Sequence, residues 1–389
     1  MTAASNILPK EDRAQLSANE SGLRASFTTY GRFVIVFRIL TLSCGSTSTK
    51  IAVFEDEAAK DKVAVRHAAE ELAQFEGVTE QYSMRERQVI AQLTERGLCI
   101  SDFAATASVG GPLNPLPGGV YRVTHKMAED IRSGNVYMQH ASHLGALVAR
   151  EIEERTKVPG FIVDPVTTDE FWPTARVSGF KQVPRTSATH ALNAKAVSRK
   201  ASCLLERPFD TQNFVVAHIG GGSSVSLVRC GRIVDSLTSR QDGPFSAEAA
   251  GALSMPDFLD YVVSGAEDAK KIKSLWFGAG GLVSHLGTNS IEDAQQSMDA
   301  GDEQAALVLR AMAYQIAKSI GALAAALGSK PDGIIITGGG AHSERICNWI
   351  SERVSFLGRV FVMPGEDEMA ALAQSVLRVL RGEEEALEY

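Results

Sequence analysis

Two stretches of this chain place small and hydroxylated residues at a tight turn between apolar runs. In Asn213–Val228, the run Phe214–Ala217 leads into Gly220, Gly221 and Gly222, then two serines, then the alternation Val225–Val228. In Arg38–Phe54, a short apolar run meets Gly45, the hydroxyls of Ser46, Thr47, Ser48 and Thr49, then Lys50, then Ile51–Phe54. Glycine lacks a Cβ, so main-chain N–H groups at such turns approach a phosphate closely. A third glycine run, Gly338, Gly339 and Gly340, lies where an apolar strand, Gly333–Thr337, feeds a helix with Ser343 as its N-cap. The N–H groups and dipole of a helix N-terminus there suit a nucleotide. Phosphate and nucleotide binding is the chemistry these residues point to. Polar β-turns and a helix-entry turn account for the same residues without a ligand. The first turn is not a Walker A loop, because no glycine precedes Lys50 and the G-x-x-x-x-G-K-[ST] spacing is absent.

The elements that carry these turns alternate. Residues 33–54 read as a hairpin, 61–98 as a charged amphipathic helical stretch, and 103–109 as a short strand. The strand runs into a Pro/Gly loop, Gly110–Gly119, which excludes helix. Residues 138–154 read as helix and 160–166 as a buried strand ending in Asp164 and Pro165. Helix follows at 188–205, then the Gly220–Gly222 hairpin and a third strand at 232–236. Further helices are expected at 255–263 and 305–327, a strand at 359–363, and a last helix opening after Pro364 and stopping at Gly382. The terminal Glu383–Tyr389 reads as a solvated acidic tail. Strands alternating with helices argue an α/β fold, and the two matched hairpins argue duplication.

Bulk properties narrow the class. A chain of 389 residues fits two domains, and its 44% hydrophobic and 22% charged residues are ordinary for a globular protein. The net charge of -7 argues against general nucleic-acid binding. The five cysteines form no CxxC pair or metal spacing, which fits reduced, mostly buried thiols in a cytoplasmic protein. The longest near-apolar run, Phe33–Cys44, is interrupted by Arg38 and is far short of the roughly 20 residues of a membrane span. Residues 1–35 read as a disordered N-terminal extension, or as translation from an upstream start.

Taken in order, several segments resemble one family. GSTSTKIAVFE at Gly45–Glu55, PLPGGVYRV at Pro115–Val123, FIVDPV at Phe161–Val166 and HALNAKAVSRK at His190–Lys200 are the first of them. HIGGGSSV at His218–Val225, GPFS at Gly243–Ser246, ITGGGAHS at Ile336–Ser343 and VMPGEDEMAALA at Val362–Ala373 complete the set. From about Val36 to Tyr389 the chain resembles butyrate kinases, within the acetate, propionate and butyrate kinase (acetokinase) group of the sugar kinase and actin superfamily. The resemblance implies duplicated ribonuclease-H-like (actin-like ATPase) domains, 36–164 plus 368–389 and 165–367, with ATP/ADP and Mg²⁺ in an interdomain nucleotide cleft. It implies reversible transfer of the γ-phosphoryl group to butyrate or a related short or branched carboxylate, giving an acyl phosphate. Such enzymes are cytoplasmic homodimers or larger homo-oligomers, with no nucleic-acid or membrane partner.

The resemblance also assigns roles. Ser46, Ser48 and Lys50 match the first phosphate loop, His218, Gly220, Gly221 and Gly222 the second, and Gly338, Gly339 and Gly340 the adenosine loop. His190 matches the histidine beside the transferring phosphoryl group, and Asp164 the aspartate that helps position the acyl substrate or metal. Ser43 and one of Glu366, Asp367 and Glu368 match the region that reaches Mg²⁺. Other readings compete: an Asx turn at Asp164 before Pro165, and dipole-favoured carboxylates opening the last helix.

The chain departs from the family at charged positions. The usual Asn-Pro is Ser43-Cys44, Arg-Gly-Gly is Val109-Gly110-Gly111, Glu-Arg-x-Gly is Glu248-Ala249-Ala250-Gly251, and Asp-x-Arg is Ser290-Ile291-Glu292. Arginine neutralises carboxylate and phosphoryl charge bidentately, which valine and alanine do not. Arg176, Arg185 and Arg240 are the candidates to compensate. The second functional reading is therefore a catalytically impaired homologue, a pseudokinase that keeps nucleotide binding.

Overall fold

The computed structural model describes residues 23–27, 33–276 and 278–389. The chain forms two units: one built from the residues up to Asn114 with Gly119–Pro165 and Glu368–Tyr389, the other from Pro115–Gly118 with Val166–Asp367. The short Pro115–Gly118 segment, expected in the first domain, belongs to the second unit because Leu116 bridges Thr168 and its carbonyl accepts from Asp169 N.

The first unit contains a seven-stranded sheet. Its strands are β1 (Leu23–Phe27), β2 (Phe33–Cys44), β3 (Ser48–Glu55), β4 (Ala58–Arg66), β5 (Ala105–Val109), β6 (Val120–Arg122) and β7 (Gly160–Val163). The order is β4-β3-β2-β5-β7-β6, with β1 pairing β2. β2, β3 and β4 form an antiparallel meander, and β5 and β7 add in parallel. Leu40 and Leu42 of β2 pack with Ile51 and Val53 of β3 against Val89 and Leu93 of the helix Tyr82–Glu95 and Val148 and Ile152 of the helix Leu144–Thr156. The helix Glu368–Leu380 completes the unit.

Three expectations change here. Residues 61–66, expected as the start of a helix, belong to the strand Ala58–Arg66: Val63 and Val65 are half-buried between exposed neighbours and pair with Ile51 and Thr49. Within the expected disordered extension, residues 23–27 are a strand in antiparallel register with residues 33–37, because the edge of β2 offers main-chain partners; residues 1–22 and 28–32 lie outside the described residues. The acidic C-terminus is not merely solvated. Leu387 bridges Tyr121, its N–H donates to Val120 O and its carbonyl accepts from Arg122 N.

The second unit repeats the strand plan. Its strands are β8 (Asn213–His218), β9 (Ser224–Arg229), β10 (Arg232–Thr238), β11 (Gly333–Gly338) and β12 (Val360–Pro364), in the order β10-β9-β8-β11-β12. β8, β9 and β10 are an antiparallel meander, and β11 and β12 add in parallel. β8 reads as a continuous apolar run because both of its faces are covered. Val215 and Ala217 pack toward the helix Glu303–Leu327, whereas Phe214 and Val216 pack toward the helix Ala191–Leu204. The long helix starts where Asp302 Oδ1 accepts from Ala305 N at 3.0 Å and stops at Gly328, at φ 71°. Its buried Val308, Met312, Ala313, Ile316, Ile320 and Leu323 recur at helical spacing.

All five cysteines are free thiols, but Cys99, Cys203 and Cys230 are exposed, so "mostly buried" does not hold. Among the described residues no helix is long and apolar enough to cross a membrane.

Candidate active site

The first turn, Gly45–Lys50, is held from beneath by a residue that the sequence did not mark. Arg85, fully buried on the helix Tyr82–Glu95, donates to Gly45 O (2.9 Å), Ser48 O (3.0 Å), Ser46 O (3.1 Å) and Thr49 Oγ1 (3.1 Å). The guanidinium fork therefore takes the turn's carbonyls, while Ser46 and Lys50 stay exposed. Ser43 is the cross-strand partner of Lys50. Burial pushes the Cys44 thiol up to about 11; the guanidinium of Arg85 opposes this, and the Glu368 carboxylate adds weakly to it. Glu368 thus opens its helix within electrostatic reach of this turn.

Asp164 follows β7 directly, in the left-handed region at φ 37°. Its Oδ1 accepts from Gly119 N at 2.8 Å, and its own N–H donates to Gly119 O at 3.0 Å. The carboxylate clamps the end of the Pro/Gly loop; this bond spans the unit rather than closing a local Asx turn. At the other end of that loop, a Cβ on Gly111 would lie 2.5 Å from His143 Cδ2, which explains the glycine.

In the second unit, His190 and His218 stack with ring centroids 3.8 Å apart and planes within 9°. Ser224 Oγ lies 2.9 Å from His190 Nδ1. Asn193 Nδ2 donates to His218 Nδ1 at 2.8 Å and to Thr337 Oγ1 at 3.3 Å. An amide nitrogen only donates, so His218 accepts at Nδ1 and carries its proton on Nε2. That nitrogen lies 3.6 Å from Glu366 Oε2. Burial lowers both imidazoles, His190 to about 4 with help from the charge of Arg240, and His218 with help from His190. Both rings are neutral near pH 7. Asn193, one helical turn after His190, is a further residue the sequence reading missed; the i, i+3 spacing was its signal.

The turn Gly220–Gly222 sits against this pair. A Cβ on Gly220 would lie 3.3 Å from His218 Nε2, and one on Gly221 would lie 3.1 Å from Glu248 Oε2. Gly221 O accepts from Ser246 Oγ (2.5 Å) and Glu248 N (2.9 Å). Asn289 Nδ2 donates to Glu248 Oε1 at 2.7 Å.

The same turn borders a cavity of about 1080 Å³, lined also by Asn289, Glu292, Gly339, Gly340, Arg345 and Trp349. Gly338, at φ 87°, exchanges hydrogen bonds with Gly365, and a Cβ there would lie 2.4 Å from Ile219 O. Gly340 N donates to Ile219 O at 2.8 Å, and a Cβ on Gly340 would strike Ile219 Cγ2 at 2.5 Å. Nothing lies within 4 Å of a Cβ built on Gly339. A short 3₁₀ turn then enters the helix Glu344–Val354, capped by Ser343. The second-unit candidates His190, His218, Gly220–Gly222, Gly339, Gly340 and Glu366 thus gather at one end of its sheet.

Two of the compensating arginines are engaged elsewhere. Arg185 bonds Asp242, Asp235, Ala175 O and Ser236 O. Arg176 pairs with Asp169. Arg240 is the one whose charge reaches His190.

Comparison with known proteins agrees with this geometry. The profile of the Acetokinase family matches residues 181–374. A "Probable butyrate kinase" of Listeria monocytogenes serotype 4a (strain HCC23) is 43% identical over 354 residues, covering 91% of this chain and 99% of that one. The fold is similar to that of acetate kinase from Porphyromonas gingivalis, with a TM-score of 0.73, 18% identity, 88% of this chain and 100% of that one. A propionate kinase from Francisella tularensis matches with a TM-score of 0.67, 18% identity, 87% of this chain and 98% of that one. With two α/β units of one strand plan, a glycine turn beside stacked histidines and this relationship over nine-tenths of its length, the chain belongs to the acetokinase family.

Proposed function

We propose that the protein is an ATP-dependent carboxylate kinase that transfers the γ-phosphoryl group to butyrate or a related short or branched acid, reversibly, through an acyl phosphate. The observation that carries the reading is the neutral, stacked His190–His218 pair against the Gly220–Gly222 turn. Phosphoryl transfer is mainly positioning and charge stabilisation. Neutral imidazole N–H groups donate to phosphoryl oxygens without adding a proton to the balance.

In this reading the main-chain N–H groups of Gly220, Gly221 and Gly222 hold phosphate, at a turn where Cβ atoms would crowd Glu248 and His218. Gly338, Gly339 and Gly340 shape the adenosine end of the cavity. Ser46, Ser48 and Lys50 donate to phosphate from the turn that Arg85 fixes. His190 steadies the moving phosphoryl group, and Asp164, through its loop clamp, orients the acid.

Mg²⁺, when bound, neutralises charge on the nucleotide phosphates. It prefers oxygen donors and keeps several waters, so one or two carboxylates suffice. Ser43, Glu366 and Glu368 are the donors we propose, and Glu366, 53% exposed in its side chain, suits a water-shared contact. Among the described residues no group of three or more His, Cys, Asp or Glu is set to hold a metal.

The helix Met255–Val263 leaves Met255, Leu259 and Val263 exposed and buries none of its residues, which supports a homo-oligomer. We place the reaction in the cytoplasm with its ATP.

Purified protein with ATP, Mg²⁺ and a panel of short acids, trapped with hydroxylamine, tests the reading. Acyl hydroxamate is expected with butyrate or isobutyrate. No product above background with any acid would leave the pseudokinase reading, which Val109 and Ala249 in the arginine positions favour.

A further inference from the structure

The turn after β10 brings a cation to the glycine turn. β10 pairs with β9 as far as Thr238 opposite Ser224, the residue bonded to His190. The register continues one step: Ser239 N donates to Ser223 O at 2.9 Å, and Ser239 Oγ accepts from Ser223 N at 3.0 Å. Arg240 follows directly, inside the turn Thr238–Gln241, and a Cβ on Gly222 would lie 3.7 Å from Ser239 Oγ. The chain there is fixed, because Thr238 O accepts from both Gln241 N (3.0 Å) and Gly243 N (2.9 Å). A Cβ on Gly243 would lie 2.5 Å from Thr238 N, so the turn has no room to relax. It is also tied to the segment leading to His190. Gln241 Nε2 donates to Thr186 Oγ1 at 3.0 Å, and Arg185 Nε donates to Asp242 Oδ2 at 2.6 Å. Arg240 is therefore exposed on a hydrogen-bonded turn whose preceding residues meet Gly222, Ser223 and Ser224.

We propose that Arg240 is the phosphoryl-binding cation of this site, its guanidinium taking the oxygens of an anion seated on Gly220–Gly222. The positions at which the family carries arginine hold Val109 and Ala249, only 8% and 2% exposed and packed inward. Arg240 reaches the cradle from the opposite strand of the meander and supplies the planar, bidentate donor that these lack. The field of Arg240 at the ring of His190 is the electrostatic trace of the same placement. The biological role rests on the phosphotransfer reading; the anion site does not.

Inorganic phosphate, titrated calorimetrically into the ADP-bound full-length protein, tests the site without turnover. Arg240→Gln and Arg240→Ala should weaken phosphate binding at least about tenfold, and Arg240→Lys should recover part of it. ADP affinity should be unchanged, and circular dichroism of each variant confirms that it is folded. Phosphate affinity in Arg240→Gln within about twofold of wild type, or no phosphate binding by wild type at millimolar concentrations, would overturn the assignment. In the hydroxamate assay, Arg240→Gln should lose about 10²-fold or more in kcat/KM. If wild type makes no hydroxamate while Arg240→Gln still loses phosphate, the kinase reading falls and the Arg240 assignment stands.

Discussion

The imidazole of His190 lies flat on that of His218, 3.8 Å between centroids, and each ring is held from its own side, His190 by Ser224 and His218 by Asn193. Two imidazolium ions in that arrangement would repel, so the stack requires that at most one ring be charged. The arrangement converts a buried position into a pH limit.

The sign follows from the lowered values. An unfolded imidazole titrates near 6.5, whereas His190 in the fold titrates at about 4 and His218 well below 6.5. Between these values the unfolded chain binds protons that the folded chain does not. Stability is therefore fully present above about pH 6.5 and is lost as pH falls toward about 4. Melting curves of wild type and His190→Gln across this range are the check. The wild-type melting temperature should fall more steeply than that of the variant. Parallel curves would remove the linkage argument. In the hydroxamate assay the same variant should lose about 10²–10³-fold in kcat, the effect of one lost transition-state donor.

The adenosine loop offers a paired test. A Cβ on Gly340 would strike Ile219 Cγ2 at 2.5 Å and Ile291 Cδ1 at 2.9 Å, whereas Gly339 has open space. Gly340→Ala should lower stability by about 1–3 kcal/mol, the range for forcing extra atoms into a packed region. Gly339→Ala should melt as wild type does, yet put a methyl group into the cavity that both residues line. ADP titration separates the two. Unchanged ADP affinity in Gly339→Ala would take the cavity out of nucleotide binding.

The C-terminus should matter to the first unit. Leu387 exchanges two main-chain hydrogen bonds with Val120 and Arg122, and its Cδ1 would lie 2.7 Å from a Cβ on Gly119. Removing residues 386–389 should cost about 1–3 kcal/mol, since each hydrogen bond contributes about 0.5–1.5 kcal/mol. Urea denaturation of the truncated chain measures it. A midpoint equal to wild type would return the tail to a solvated role.

The glycine turns, the family and most strands were legible in the sequence because each rests on local pattern: Gly220–Gly222 between apolar runs, Ser343 as an N-cap. Leu387 was not, because a short acidic tail gives no sign that the edge of β6 is open to it. Residues 61–66 were misread because Asp61, Lys62 and Arg66 around Val63 and Val65 also fit an exposed helix face. Asp164 was read correctly as a strand end, but its partner, Gly119, is 45 residues away and no spacing rule links them. Arg240 stood in the sequence only as one of three arginines; the hydrogen bonds that tie Ser239 to Ser223 bring its turn to the glycine turn.

Arg85 shows the same limit most fully, and it carries the last prediction. Read along its helix, it is one more charged residue; folded, it is 0% exposed and bonded to Gly45 O, Ser46 O, Ser48 O and Thr49 Oγ1. Its further partners among the described residues are Gln81 Oε1 and the Cys44 thiol, neither of them a carboxylate. The charge is thus placed directly beneath the first turn, where it both shapes the turn and favours an anion above it. Arg85→Leu removes the guanidinium donor from Gly45 O and Ser46 O, at about 1–3 kcal/mol for each group left unsatisfied, while Ser48 O keeps the N–H of Gly45. The variant should lose at least about that much stability in urea. Arg85→Lys keeps the charge and loses the fork, because an ammonium cannot span acceptors set for a planar guanidinium. It should therefore stay folded with a looser turn and bind ATP several-fold more weakly than wild type. Wild-type ATP affinity in Arg85→Lys would show that the geometry the guanidinium fork imposes on the turn is immaterial to nucleotide binding.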